Sequence, residues 1–400
     1  MAPNLGILVF IALCTAFAVH LLQLNTGREI QTTAADLSWI ESYAALGDSY
    51  GVGIGAGHPI KGSSNVPCWQ YSHGYPNQLN SLFSRLETNP SRKFQFLGCS
   101  GALIIDVLSK QVPLLDRPQV VTVSAGGNDA DLSTILNYCI YQWAAYDSWT
   151  CERVLAESRN KTESVEFAKN IDDLLVGIKE RLRDEDSRIY YTGYSKFWDA
   201  TDTACDNVTW SFTRLSGYQY LTQDRRRTMN DLVDLVNRQI KDAVSRAGPK
   251  AVFIDWQQDV DRIQGRYCEP GVDESYNYGK GPGINRESTS FYEWGTTKDD
   301  ADDDVDSPKE WGYHELRKRW ETPTNATFEG AITNWVNRGL QNHTEEIASS
   351  MPGSDFSGRW LPDKYARVFH PTKLAHGIIA DSVLKAMVLE QRKYSPRGKH

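Results

Sequence analysis

The stretch Ala44-Ala-Leu-Gly-Asp-Ser-Tyr-Gly-Val-Gly-Ile-Gly-Ala-Gly57 leaves an apolar run and enters a series of glycines. Two chemistries compete for it. Gly51-Val-Gly53-Ile-Gly55-Ala56 satisfies the loose G-x-G-x-x-A pattern of a dinucleotide turn. That pattern has meaning only where a helix opens at once and a second strand ends in an acid about 20 residues on. Here His58-Pro59 and Gly62-Ser-Ser64 follow instead, and the next strand candidate, over 94–97, comes too late and ends without an acid. The nucleotide reading fails its own context. The other reading centres on Ser49, placed where the strand should end. A serine at a tight turn exposes both its Oγ and its backbone N–H, as a nucleophile needs. Gly-Asp-Ser is also an ordinary turn tripeptide, so the stretch decides nothing alone.

Outward from it, short apolar runs alternate with longer helical patterns. Strands are predicted over 43–46, 94–97, 120–124, 188–193 and 251–256. Their β-branched and aromatic content suits strands buried on both faces. Helices are predicted over 75–86, 164–183, 223–246 and 374–390, and Val233, Val236 and Ile240 illustrate the apolar stripe of the third. The alternation implies a parallel sheet with helices on both faces, a flavodoxin-like three-layer α/β/α fold with five central strands. Functional groups in such sheets gather at the carboxyl ends of the strands. Ser49 falls just past the first strand and Asn128 just past the third.

Further blocks sharpen the second reading. Cys99-Ser-Gly101-Ala puts a glycine after the second strand, where a bare backbone N–H can approach a substrate oxygen. Ala125-Gly-Gly-Asn128-Asp129 ends the third strand with an amide side chain. Phe369-His370-Pro371 and Leu374-Ala-His376-Gly377 open the last helix. Ser, Gly, Asn and His, each in its own block and in this order, resemble the SGNH (GDSL-type) hydrolase superfamily, most of all its secreted fungal and actinobacterial lipase/esterase branch. The resemblance covers most of 42–389. It implies Ser49 as nucleophile, His370 as general base, and an oxyanion hole made by the N–H groups of Ser49 and Gly101 and the side chain of Asn128. One position departs from the pattern. The superfamily usually has an Asp three residues before the histidine, and here stands Arg367, which cannot accept the imidazole N–H. Some members use a main-chain carbonyl instead, and that is the expectation here; Asp363, the only nearby carboxylate, is the competitor. His376 is read as structural.

Composition and cysteines bound the setting. The chain has 400 residues, 40% hydrophobic, with a formal net charge of −8, which argues against nucleic acid as the main partner. An apolar segment from Leu5 with Ala16-Phe17-Ala18 fits a signal peptide over 1–18; its extension to Leu24 leaves open an uncleaved anchor, the one route to a membrane. Cys14 lies in that segment. The other six, Cys68, Cys99, Cys139, Cys151, Cys205 and Cys268, suit disulfides. Sequence order suggests 68–99, 139–151 and 205–268, one of fifteen connectivities, and the resemblance implies the same three. Sequons at Asn160, Asn207, Asn325 and Asn342 are compatible with export.

One domain is expected over 36–395, with an insertion at about 269–327 that carries aromatics and an Asp run. The run lacks the glycine and the bidentate glutamate of a calcium loop and reads as a solvated face. The aromatics, Phe291 and Tyr292 among them, suggest a cover over the site. No cofactor and no metal is implied. The resulting expectation is a secreted monomeric serine esterase or lipase acting on a small-molecule, lipid or polysaccharide ester. Its enzymatic alternative is an acetylated-polysaccharide esterase. The alternative of another class is a non-catalytic extracellular carbohydrate-binding protein that kept the fold; only Arg367 favours it.

Overall fold

A computed structural model describes residues 37, 39–60, 68–85, 91–142, 150–211, 218–272, 274, 276–277, 281–282, 289–292 and 367–394. The segment over 1–18, most of the insertion, Asp363, Asn325 and Asn342 lie outside them.

Five strands form one sheet: β1 Ser42–Gly47, β2 Lys93–Phe96, β3 Val120–Ser124, β4 Arg188–Thr192 and β5 Ala251–Ile254, in the order β2-β1-β3-β4-β5. Every pairing is parallel. Each predicted strand is present, with ends moved by a residue or two. The fifth stops at Ile254 because Trp256 turns the chain, its indole N–H donating to the Gly193 carbonyl at 2.7 Å. β3 is buried along its whole length, as a strand covered on both faces must be.

The helices that matter are α1 Ser49–Val52, α2 Tyr75–Arg85, α3 Cys151–Glu163, α4 Val165–Arg181, α5 Gln223–Ala247 and α6 Lys373–Tyr394. α2 packs on α6 in one layer, and α3, α4 and α5 pack together in the other. Side-chain caps fix where several of them start. Thr150, Ser164 and Thr222 accept from the N–H of the residue three further on, which satisfies a donor that the helix itself leaves orphaned. Ser164 is also the C-cap of α3, so one residue both stops a helix and starts the next.

α3 was not expected. Its buried face includes two hydroxyls, Ser158 and Thr162, beside Val154 and Leu155, and these satisfy themselves on backbone: Ser158 Oγ donates to the Ala130 carbonyl and Thr162 Oγ1 to the Ser158 carbonyl. A face made partly of small hydroxyls carries little hydrophobic periodicity.

The six cysteines pair as 68–99, 139–151 and 205–268. Asn160 and Asn207 are both exposed. Among the described residues no helix is long and apolar enough to cross a membrane.

Candidate active site

In the order β2-β1-β3 the chain leaves β1 in one direction and returns to its other side, so the two crossovers part at the carboxyl ends of β1 and β3. Open α/β sheets bind ligands in that crevice. Gly47 and Ser124 are register partners at its floor. Gly47 has φ 137°, and a Cβ there would lie 2.2 Å from the Ser124 carbonyl oxygen. Only glycine lets the strand bend so close to its neighbour and turn Asp48 and Ser49 out of the sheet. The turn is then locked. Asp48 N–H donates to the Ser124 carbonyl at 2.9 Å, and the Gln111 side chain bonds both backbone groups of Gly47.

Ser49 is the first residue of α1, so its N–H precedes the first intrahelical bond and stays available. α1 ends at Gly53 (φ 76°), where a Cβ would meet Gly74 Cα at 2.3 Å. Gly47 and Gly53 of the opening stretch therefore serve close packing of backbone on backbone.

The second block is tied to the first covalently and by register. Cys99 N–H donates to the Gly47 carbonyl, Ser100 N–H to the Cys68 carbonyl, and the 68–99 disulfide clamps the segment just before Gly101. Asn128 Nδ2 donates to the Ala102 carbonyl at 3.1 Å, which fixes the amide and leaves its second N–H to point elsewhere.

Behind them lies a buried relay that the sequence reading missed. Tyr194 Oη accepts from Gly127 N–H at 2.9 Å and donates to Asp48 Oδ2 at 3.1 Å, while Asp48 Oδ1 accepts from Tyr50 N–H at 3.0 Å. One phenol thus couples the turn that carries Ser49 to the turn that carries Asn128. Burial pushes the Asp48 carboxyl up to about 7, against hydrogen bonds that favour its ionised form. Asp129, whose carboxylate accepts from Ile104 N–H, is pushed up to about 6 by the same cause. An acid beside Ser49 was visible in the sequence; its partner, 146 positions away, was not.

His370 comes from the far end of the chain. Tyr50, the residue after Ser49, donates its hydroxyl to the Phe369 carbonyl at 2.7 Å, and its ring lies 5.5 Å from the His370 ring. That contact brings the serine block and the histidine block to one place. Phe369 has φ 64°, uncommon for a bulky residue. Its ring is fully buried among Phe197, Trp198 and Tyr267, at centroid distances of 5.1, 5.5 and 5.0 Å. Thr372 then caps α6, accepting from Ala375 N–H.

His370 Nδ1 lies 3.2 Å from the Val368 carbonyl oxygen. A carbonyl can only accept, so Nδ1 carries the proton in that bond and Nε2 keeps its lone pair. Arg367, at the position where the superfamily usually has its acid, lays its guanidinium over the Tyr292 ring at 4.7 Å, and Tyr292 donates its hydroxyl to the Gly55 carbonyl. Residues 289–292, part of the expected insertion, are built into this block: Phe291 bridges to Pro371 and Tyr292 to Val368. His376 is fully buried, its Nδ1 accepts from Tyr75 N–H, and burial followed by the His370 charge holds it down at about 3. At neutral pH it is therefore uncharged.

The sequence profile of the GDSL-like Lipase/Acylhydrolase family matches residues 45–275. Lipase 1 of Streptomyces coelicolor is 39% identical over 118 residues, 29% of this chain and 39% of that protein. A Streptomyces rimosus lipase is 31% identical over 157 residues, 39% of this chain and 53% of that protein. The chain thus spans about two fifths and about half the length of these curated relatives. Among solved structures, a phospholipase A1 from Streptomyces albidoflavus has a TM-score of 0.48 at 22% identity, covering 66% of this chain and 91% of that one.

Proposed function

The chain belongs to the GDSL-like lipase/acylhydrolase family, and from that premise we propose that it hydrolyses carboxylic esters through an acyl-enzyme on Ser49, with His370 as the base. The observation that carries the proposal is the meeting of four blocks at the β1/β3 crevice, with Tyr50 joining the serine turn to the histidine turn.

In this mechanism Ser49 Oγ attacks the ester carbonyl carbon and passes its proton to His370 Nε2. The oxyanion that forms is met by the N–H groups of Ser49 and Gly101 and by the free N–H of the Asn128 amide. Donors already fixed in place act without reorganising, which is why such a hole contributes several orders of magnitude. The imidazolium then protonates the leaving alcohol as the tetrahedral species collapses. Water, deprotonated by the same nitrogen, attacks the acyl-enzyme, and a second collapse releases the acid and Ser49. The Val368 carbonyl orients the ring and lends a partial negative charge to the imidazolium; Asp363 is not required. A Ser–His dyad is therefore the catalytic unit.

Export to an oxidising compartment accompanies this reading, supported by three disulfides in a chain of mixed charge. A panel of p-nitrophenyl esters tests the activity. Hydrolysis that Ser49→Ala abolishes supports the proposal. Hydrolysis that survives Ser49→Ala at the unsubstituted rate ends it.

A further inference from the structure

Residues 367–370 form a turn closed by His370 N–H, which donates to the Arg367 carbonyl at 2.8 Å. Tyr292 lies alongside this turn and meets it at three points. Its carbonyl accepts from Phe369 N–H at 3.1 Å, its N–H donates to the His370 carbonyl at 3.0 Å, and its ring carries the Arg367 guanidinium at 4.7 Å. Its hydroxyl reaches the other way and donates to the Gly55 carbonyl at 2.7 Å, in the loop that follows α1. We propose that Arg367 and Tyr292 are positioning residues for the base: their cation–π contact and the Tyr292–Gly55 bond latch the histidine turn to the loop beyond Ser49. The inference rests on the hydrolase reading above and adds to it two residues that act through His370.

Three observations carry it. First, the turn does not hold itself. Phe369 has φ 64°, a conformation that a phenylalanine keeps only where its surroundings over-determine it. Tyr292 supplies part of that restraint through its two backbone bonds, and Tyr267 Oη donates to the same Tyr292 carbonyl at 2.6 Å. Second, the latch is buried and close-packed. Arg367 and Tyr292 are each 4% exposed, and a Cβ on Gly55 would lie 2.6 Å from Arg367 Cβ and 3.0 Å from Tyr292 Cε2. The loop backbone thus approaches both side chains as nearly as a bare glycine permits. A cation over a ring gains most where water is excluded. Third, the imidazole calls for no acceptor at position 367, because the Val368 carbonyl already lies 3.2 Å from Nδ1. Val368 belongs to the same turn, so loosening the latch moves the ring and its acceptor together. What changes is the approach of Nε2 to Ser49, and a displacement of about 1 Å there can cost on the order of 100-fold in rate.

The test is p-nitrophenyl ester turnover per active site, with sites counted by fluorophosphonate labelling of Ser49 carried to completion. Arg367→Ala should lower kcat per labelled site by about 10- to 100-fold and leave KM within about twofold. Arg367→Lys keeps the charge but not the flat face, and should recover part of that loss. Arg367→Asp restores an acid at this position and should be no faster than Arg367→Ala. Tyr292→Phe keeps the ring and removes only the bond to Gly55, so it should cost about fivefold in kcat per site. Should the Arg367 variants not fold, Tyr292→Phe carries the test alone. An Arg367→Asp variant faster than Arg367→Ala overturns the latch, since the position would then orient the ring as an acid. So do Arg367→Ala and Tyr292→Phe variants that label fewer sites but turn over at the unsubstituted kcat per site, the mark of a role in folding only. These results leave the hydrolase reading standing if Ser49 labels in the unsubstituted protein and Ser49→Ala is inactive. An unsubstituted protein that neither labels nor hydrolyses any ester overturns both.

Discussion

Ser49 and Asn128 stand at the ends of two hydrogen-bonded parallel strands, β1 and β3, and the sheet register sets the distance between their turns. His370 has no such support. Its segment enters from beyond residue 366 and is held by side chains: the Tyr50 hydroxyl on the Phe369 carbonyl, the Phe369 ring in its aromatic nest, and Tyr292 pairing with Val368. The half proposed to hold the nucleophile and the oxyanion donors is a product of secondary structure, which resists single substitutions. The half proposed to hold the base is a product of tertiary packing, which concentrates the same task in a few buried rings. Substitutions should therefore act on chemistry in the first half, and on placement in the second.

The sharpest break is at the base itself. His370→Ala should lower kcat by about 10⁴-fold or more in an ester assay, the scale seen when a serine hydrolase loses its base or the group behind it. Asp363→Ala separates a dyad from a triad and should leave kcat within about tenfold, because a main-chain carbonyl already occupies Nδ1. Equal losses in two folded variants would instead make Asp363 a member of the catalytic unit. On the sheet side, Asn128→Ala should cost about 10²- to 10³-fold in kcat with thermal stability nearly unchanged, as expected for one oxyanion donor.

Phe369 tests the placement half. Phe369→Ala should cost about 3–5 kcal/mol in denaturant unfolding, from the emptied aromatic site. Phe369→Gly should cost about 1 kcal/mol less than the alanine variant, because glycine takes a φ of 64° without strain. Both should lower kcat beyond what their stability explains. If their kcat matches the unsubstituted protein, the ring does not position His370.

Tyr194 links the two turns of the sheet side, so Tyr194→Phe should lower kcat about tenfold with KM little changed, an orientation loss of about 1.4 kcal/mol in the transition state. It should also raise the pH at which Asp48 ionises, since the Tyr194 hydroxyl stabilises that carboxylate. The last effect concerns stability against pH, at Asp48. Its carboxyl is raised from 3.8 to about 7 by burial, so its contribution to stability is fully present below pH 3.8 and is lost as pH rises through 7. His376, lowered to about 3, acts in the other direction: its contribution is present above pH 6.5 and lost as pH falls through 3. Asp48→Asn should flatten the loss of unfolding free energy between about pH 4 and 7, by up to ~4 kcal/mol. An unaltered pH dependence would mean that Asp48 is ionised throughout.

What could be read in the sequence follows the same division. The five strands, the turn at Ser49 and the turn at Asn128 declare themselves through short apolar runs, four of which lead into Gly, because a parallel sheet writes its pattern locally. The cysteine order matched the pairing for a similar reason, since each bridge closes a loop between neighbouring blocks. What stayed hidden depends on distant partners. Tyr194 looked like one tyrosine among many until the fold set it between Gly127 and Asp48. Phe369 was read only as part of the histidine block before the last helix, and nothing in the sequence marks a positive φ at a phenylalanine. α3 was missed because Ser158 and Thr162 take the place of leucines on its inner face. Arg367 was legible as a departure, but its packing on Tyr292 was not.

The central claim is that Ser49 carries the acyl group during turnover. Its most direct test is acid quenching of the protein during hydrolysis of a p-nitrophenyl ester, followed by digestion and mass spectrometry of the peptides. An acyl adduct on Ser49 is expected in the unsubstituted protein and none in Ser49→Ala. An adduct on another residue, or turnover at full rate with Ser49 unmodified and replaceable, would contradict it.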